Sequence, residues 1–183
     1  MILRGMNRFH ASLARRGMKQ VDWRPEWNVL DIGCGGGANV KRLLKLCPQG
    51  KVYGMDLSEE SVAFARRHNA GELDRRCFIR QGDVCSLPYG DGAFDAVTAF
   101  ETVYFWSPVG KALAEVFRVI RKGGCFLISL EASDPELGKM WTERIKGMTV
   151  YGADELKRLL SQAGFSDIRV IRKKEELHIV AHK

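Results

Sequence analysis

A chain of 183 residues is the size of one domain. With 45% apolar and 28% charged residues it has the composition of an ordinary globular protein, which excludes collagen-like, coiled-coil and intrinsically disordered chains. The net charge of +7 is concentrated near the start, where Arg4, Arg8, Arg15, Arg16, Lys19 and Arg24 face Asp22 alone; such an arm either attracts anions or is a solvated basic helix. Residues 27–32 read as a strand that stops at a glycine cluster. The next helix carries Val40, Leu43, Leu44 and Cys47 on one face and Lys41, Arg42 and Lys45 on the other, and Pro48, Gln49 and Gly50 end it. Residues 51–56 form a second strand, and Ser58 caps a helix with Glu59 and Glu60 in its first turn, where carboxylates suit the helix dipole.

Residues 77–80 and 94–100 are the third and fourth strands. Ser107 and Pro108 predict a helix start, a cap residue followed by proline at the first helical position. That helix presents Val109, Leu113, Val116 and Ile120, collects Arg118, Arg121 and Lys122 at its end, and stops at Gly123 and Gly124. Residues 125–130 are apolar almost throughout, as in a strand buried on both faces. A last helix over 153–163 shows Leu156, Leu159 and Leu160 and meets Gly164; closing strands follow at 165–172 and 176–181. Their link is too short for a parallel crossover, so they pair as an antiparallel hairpin. The fold class is α/β: a doubly wound, seven-stranded, mostly parallel sheet with helices on both faces and an antiparallel C-terminal hairpin. The chain reads as a single domain over 1–183, with 1–26 as a helical cap and 132–151 as a lid over the carboxyl ends of the strands, where such sheets bind ligands.

Membrane and secretory readings fail. No apolar run approaches the ~18–20 residues of a bilayer span, and the first residues hold no apolar signal core, so the chain is expected in the cytosol with no membrane partner. Cys34, Cys47, Cys77, Cys85 and Cys125 are odd in number and lack a C-x-x-C pair, consistent with reduced, buried thiols. His10, His68, His178 and His182 have no metal-ligand spacing, so no metal is expected.

The informative stretch runs from Asp31 to Ala38, where glycines turn the chain from strand to helix and bring backbone amides against a ligand. Gly33, Gly35 and Ala38 satisfy G-x-G-x-x-[GA], with Asp56 following after ~20 residues, so a nicotinamide-dependent oxidoreductase is one reading. Three features point elsewhere. Asp31 puts a carboxylate beside the loop, where a pyrophosphate is repelled and an amino group favoured; Asp83 supplies a second acid after the third strand; and the sheet closes with an antiparallel hairpin.

Together these resemble a class I S-adenosylmethionine-dependent methyltransferase. The resemblance covers ~27–183. Val29, Leu30, Asp31, Ile32, Gly33, Cys34, Gly35, Gly36 and Gly37 match its first motif, and Asp56 matches the acid ending its second strand. Gly82, Asp83 and Val84, with Leu87, Pro88 and Tyr89, match the segment beside the adenine. Phe94, Asp95, Ala96 and Val97 match its fourth strand, and the run from Leu113 to Gly124 the helix and turn before its fifth. The resemblance implies S-adenosylmethionine as methyl donor and S-adenosylhomocysteine as product. It implies that Asp56 accepts from the ribose hydroxyls, that Asp83 and the Val84 amide hold the adenine, and that Leu57 covers one adenine face. Gly33, Cys34 and Gly35 would let the methionine portion pass over the loop, with Asp31 near its ammonium and Phe100 where the methionine end meets the fourth strand.

Methyl transfer mainly requires holding the acceptor atom ~3 Å from the methyl on the correct line, and a base only if that atom is protonated. His10, Glu101, Tyr104 and Trp106 are the substrate-facing candidates, with Phe105 beside them, and no residue is assigned as catalytic. The base-amino nucleic-acid enzymes of this class carry an Asn/Asp-Pro-Pro-aromatic motif after the fourth strand. Here that place reads Phe100, Glu101, Thr102, Val103, which favours a small-molecule acceptor over nucleic acid. An RNA methyltransferase using the basic arm remains the alternative. The short cover segments imply either an open site or one completed by a second copy in a homodimer.

Overall fold

A computed structural model describes residues 10–173 and 176–183. Its strands are β1 (Val29–Ile32), β2 (Val52–Asp56), β3 (Cys77–Gln81), β4 (Phe94–Phe100), β5 (Ile120–Leu130), β6 (Ser166–Lys173) and β7 (Glu176–His182). They form one seven-stranded sheet in the order β3-β2-β1-β4-β5-β7-β6. The first five run parallel to one another, whereas β7 runs antiparallel to both β5 and β6. The described helices are α1 (Ala11–Met18), α2 (Ala38–Leu46), α3 (Glu59–His68), α4 (Val109–Val119), α5 (Pro135–Arg144) and α6 (Ala153–Gln162). This is the doubly wound sheet with a closing antiparallel hairpin that the alternation of patterns predicts. No helix among the described residues is long and apolar enough to cross a membrane.

Period-two alternation splits each strand between two cores. Leu30, Val97, Phe126 and Ile128 face Leu113 and Val116 of α4 and Leu156 and Leu160 of α6. On the other face, Val29, Ala96, Leu127 and Val180 pack with Ala14 and Met18 of α1, Val40 and Leu43 of α2, and Ala65 of α3. Each fully buried Val, Leu, Ile or Phe among these is worth roughly 1.5–3 kcal/mol of transfer free energy. Ser58 caps α3 as the sequence predicts, accepting from the Ser61 amide at 3.2 Å. All five cysteines are buried and free.

The face under α1 also holds buried polar groups. His178 Nδ1 lies 2.9 Å from Ser129 Oγ, and Thr98 Oγ1 donates to Asp31 Oδ1 at 2.7 Å. Helix α1 can sit over the first pair because residue 17 is glycine: a Cβ there would fall 2.1 Å from Ser129 Oγ. The Arg16 guanidinium bonds both oxygens of Glu176, pinning the same helix to β7. These contacts fix α1 and hence the position of His10, which precedes its first turn.

Two predicted boundaries are corrected. Ser107 does not cap α4; the residue before its first turn is Pro108, in extended conformation and with no side-chain cap hydrogen bond. Nor does the helix run to Gly123: it ends at Val119 and β5 begins at Ile120. The physical reason is pairing, since the Gly123 amide donates to the Lys183 carbonyl and the Lys183 amide to the Gly124 carbonyl, at 2.9 and 3.1 Å. The glycine pair is therefore held by the sheet instead of ending a helix. Within the basic arm, Leu13 and Met18 are buried, while Arg4 and Arg8 lie outside the described residues.

Candidate functional site

The parallel strands end together at one edge, and the turn after β1 is built to leave that edge open. Gly33, Gly35 and Gly37 all take positive φ, at 70°, 49° and 75°, a region that strongly favours glycine. The Gly33 and Cys34 amides donate to the Met55 carbonyl at 2.7 and 3.0 Å, locking the turn against β2. A Cβ at Gly33 would meet Thr102 Oγ1 at 2.2 Å, whereas one at Gly35 would meet nothing within 4 Å. Gly33 is thus needed for close packing, and Gly35 borders empty space.

That space is a cavity of about 710 Å³, within the range of small-molecule sites. Gly33, Cys34, Gly35, Asp56, Leu57, Asp83, Val84 and Phe100 all lie on its wall, so the fold brings together eight positions singled out in the sequence. Asp56 holds its place through two amides: Gly35 donates to Oδ2 at 2.8 Å and Ser58 to Oδ1 at 3.0 Å. Asp83 Oδ1 accepts from the Cys85 amide at 2.8 Å, capping a short 3₁₀ turn over Val84–Ser86. Leu57 stands 72% exposed beside the cavity, an apolar side chain left in the open.

Asp31 is placed differently. It is 1% exposed and absent from the cavity wall, with Oδ1 on Thr98 and no hydrogen-bond partner for Oδ2 among the described residues. Burial is the main cause that pushes its carboxyl up to about 7, against the lowering effect of the Thr98 hydrogen bond.

The far wall comes from the end of β4. His10, Glu101, Phe105 and Trp106 line it. Trp106 lies mostly in the core, stacked near Phe126 with ring centroids 6.1 Å apart, while Phe105 is half exposed. Tyr104 does not reach the cavity; it sits behind Glu101 and donates to its Oε1 at 3.1 Å, while accepting from the Ala132 amide at 2.9 Å. The Glu131 amide donates to the same Glu101 oxygen at 2.5 Å. Burial first of all pushes the Glu101 carboxyl up to about 7. His10 Nδ1 lies 3.8 Å from Glu101 Oε2 and 3.5 Å from Glu131 Oε2. Sequence reasoning missed Glu131 and Thr102, although each lies just past the end of a parallel strand, which was signal enough to look there.

Residues 30–128 match the family model described as "Methyltransferase domain", more than half of the chain. The chain belongs to this methyltransferase family. The chain is 31% identical over 158 residues to an uncharacterised 37.1 kDa protein of a Streptomyces fradiae transposon, covering 80% of this chain and 45% of that protein. It is 34% identical over 123 residues to the demethylmenaquinone methyltransferase of Symbiobacterium thermophilum, covering 66% of this chain and 49% of the relative. It is 35% identical over 123 residues to the fatty-acid O-methyltransferase of Mycolicibacterium smegmatis, covering 67% and 43%. The chain thus spans about half the length of the curated relatives it matches. Among solved structures, the Haloferax volcanii chain in complex with the Trm112 methyltransferase activator superposes with a TM-score of 0.86 at 21% identity, covering 98% of this chain and 92% of that one. That likeness is one of fold.

Proposed function

We propose that this chain binds S-adenosylmethionine in the cavity and transfers its methyl group to a small-molecule acceptor in the cytosol, with no metal ion required. The observation that carries the reading is the wall formed at the ends of β1 and β2, where Gly35 borders open space beside the anchored Asp56 and the exposed Leu57. The donor set suits a nucleoside with an amino-acid tail. Each Asp56 oxygen already accepts one amide and keeps lone-pair capacity, so the carboxylate can take two ribose hydroxyls. Leu57 covers the adenine face, and Asp83 and the Val84 amide read its edge. Gly33, Cys34 and Gly35 let the tail pass, Phe100 bounds it, and Asp31 favours its ammonium from behind the loop.

S-adenosylmethionine supplies a methyl group on positively charged sulfur, open to in-line attack with no acid needed for the leaving group. The protein's task is therefore to hold the acceptor in line and exclude water. Phe100, Phe105 and Trp106 give aromatic surface on which a positive methyl-sulfonium region is favoured. Helix α1 acts as a cap and residues 132–151 as a lid, within one domain or completed by a second copy. Two relatives named for demethylmenaquinone and a fatty acid support a small molecule over a polymer as acceptor.

The test is incubation with S-adenosylmethionine labelled at its methyl group against separated small-molecule and RNA fractions of a cell extract, with and without EDTA. Label in the small-molecule fraction, unaffected by EDTA, is expected. Label confined to RNA contradicts the acceptor class, and loss of transfer in EDTA contradicts the metal-free reading.

A further inference from the structure

We propose that Glu101 takes the proton of the methyl acceptor, so that the reacting atom is a hydroxyl oxygen or an amine nitrogen and not a carboxylate. This rests on the methyltransferase reading and deepens it to the class of acceptor. Glu101 lies on the cavity wall past the end of β4. The Tyr104 hydroxyl and the Glu131 amide both donate to Oε1, so the carboxylate is held by one oxygen. Oε2 lies 3.8 Å from His10 Nδ1, beyond hydrogen-bond reach, so on the cavity wall its lone pairs remain for an acceptor's proton. The backbone at Glu101 has φ of 56°, an uncommon left-handed conformation for a non-glycine residue, maintained here by the surrounding hydrogen bonds.

The groups around it set its chemistry. His10 faces it from the start of α1, Glu131 from the end of β5, and Tyr104 from the short turn after β4. Burial and the Glu131 charge raise the Glu101 carboxyl, while the Tyr104 and Glu131-amide hydrogen bonds lower it, and the balance at about 7 matches a general base at neutral pH. A carboxylate acceptor brings a third negative charge beside Glu101 and Glu131 and has no proton to give, so this wall disfavours it. For a protic acceptor the step balances. The O–H or N–H bond breaks and its proton goes to Glu101 Oε2; the freed electron pair forms the bond to the methyl carbon; and the sulfur keeps the pair of the broken carbon–sulfur bond. Tyr104 is a positioning residue, acting through Glu101.

The experiment follows label from methyl-labelled S-adenosylmethionine to three probe acceptors, 1-naphthol, octylamine and octanoate, with S-adenosylhomocysteine affinity measured on every variant. Label is expected on naphthol or octylamine and not on octanoate. Glu101→Gln preserves an oxygen that both donors can reach, and should lower kcat/KM roughly 100-fold or more while leaving S-adenosylhomocysteine affinity unchanged. The wild-type rate should rise with pH through about 7. That limb should vanish in Glu101→Gln and move to higher pH in Tyr104→Phe, which removes a hydrogen bond that lowers the carboxyl. Four outcomes overturn the proposal: label on octanoate, no label on any probe while S-adenosylhomocysteine still binds, a wild-type pH limb in Glu101→Gln, or activity abolished by EDTA and restored by magnesium. If wild-type protein binds no S-adenosylhomocysteine, the methyltransferase reading itself fails.

Discussion

The Gly35 amide donates to Asp56 Oδ2 at 2.8 Å, tying the glycine turn after β1 to the acid that ends β2. Asp56 therefore has a structural task beside any ligand. Asp56→Ala removes the acceptor of both the Gly35 and Ser58 amides, and a lost charge-assisted hydrogen bond costs about 1.5–3 kcal/mol. Partial solvation of this loop should keep the loss of unfolding free energy, measured by urea denaturation without ligand, near the lower end of that range. Asp56→Asn retains one side-chain oxygen and should lose less.

Leu57 offers a separation of binding from folding. Its side chain is 72% exposed, so Leu57→Ala should change stability by no more than about 0.5 kcal/mol. Ligand affinity should nevertheless fall, because an apolar cover is removed from the cavity rim. A calorimetric titration with S-adenosylhomocysteine beside a thermal melt checks both halves.

Gly17→Ala tests how α1 is held. Its new Cβ would lie 2.1 Å from Ser129 Oγ, and overpacking of this kind costs typically about 1–3 kcal/mol. Thermal stability should fall, and methyl transfer with it, because His10 rides on the same helix. Adding Ser129→Ala removes the nearest clashing atom and should restore part of the stability.

Asp31 gives a pH signature of known sign. Burial raises its folded-state carboxyl to about 7, above its ordinary value of 3.8, so between those values the folded protein holds more protons than the unfolded chain and stability falls as pH rises. Glu101 acts in the same direction. Glu72, Glu115 and Glu176, lowered by their arginine partners, act oppositely: their contribution is present above the ordinary glutamate range and is lost in more acidic solution. Asp31→Asn should therefore gain melting temperature relative to wild type as pH is raised from about 5 to 8. A constant difference across that range would show that Asp31 does not titrate there.

The fold was legible because its signals are local and periodic. Alternating apolar positions in β1, β4 and β5, the Ser58 cap and the glycine turn each act within a few residues. The end of α4 before Gly123 was not legible, since it depends on pairing of residues 123 and 124 with Lys183, and its start at Pro108 carries no side-chain cap that a sequence could show. The wall formed by Gly35, Asp56 and Asp83 could be read from motif spacing. The grouping of His10, Glu101 and Glu131 could not, because three distant segments meet there only once α1 settles over Ser129 and His178. Asp31 marks the same limit: its place beside the glycines was readable, but not that its carboxylate turns into the sheet toward Thr98.

The central claim is that this cavity takes S-adenosylmethionine, and the most direct measurement is calorimetric titration of wild type and Asp56→Ala with S-adenosylhomocysteine and with NADH. The account predicts that S-adenosylhomocysteine binds wild type, that NADH does not, and that Asp56→Ala weakens binding by roughly 10- to 150-fold, the loss of one charge-assisted hydrogen-bond pair. Binding of NADH without S-adenosylhomocysteine, or equal S-adenosylhomocysteine affinity in the two proteins, would contradict it.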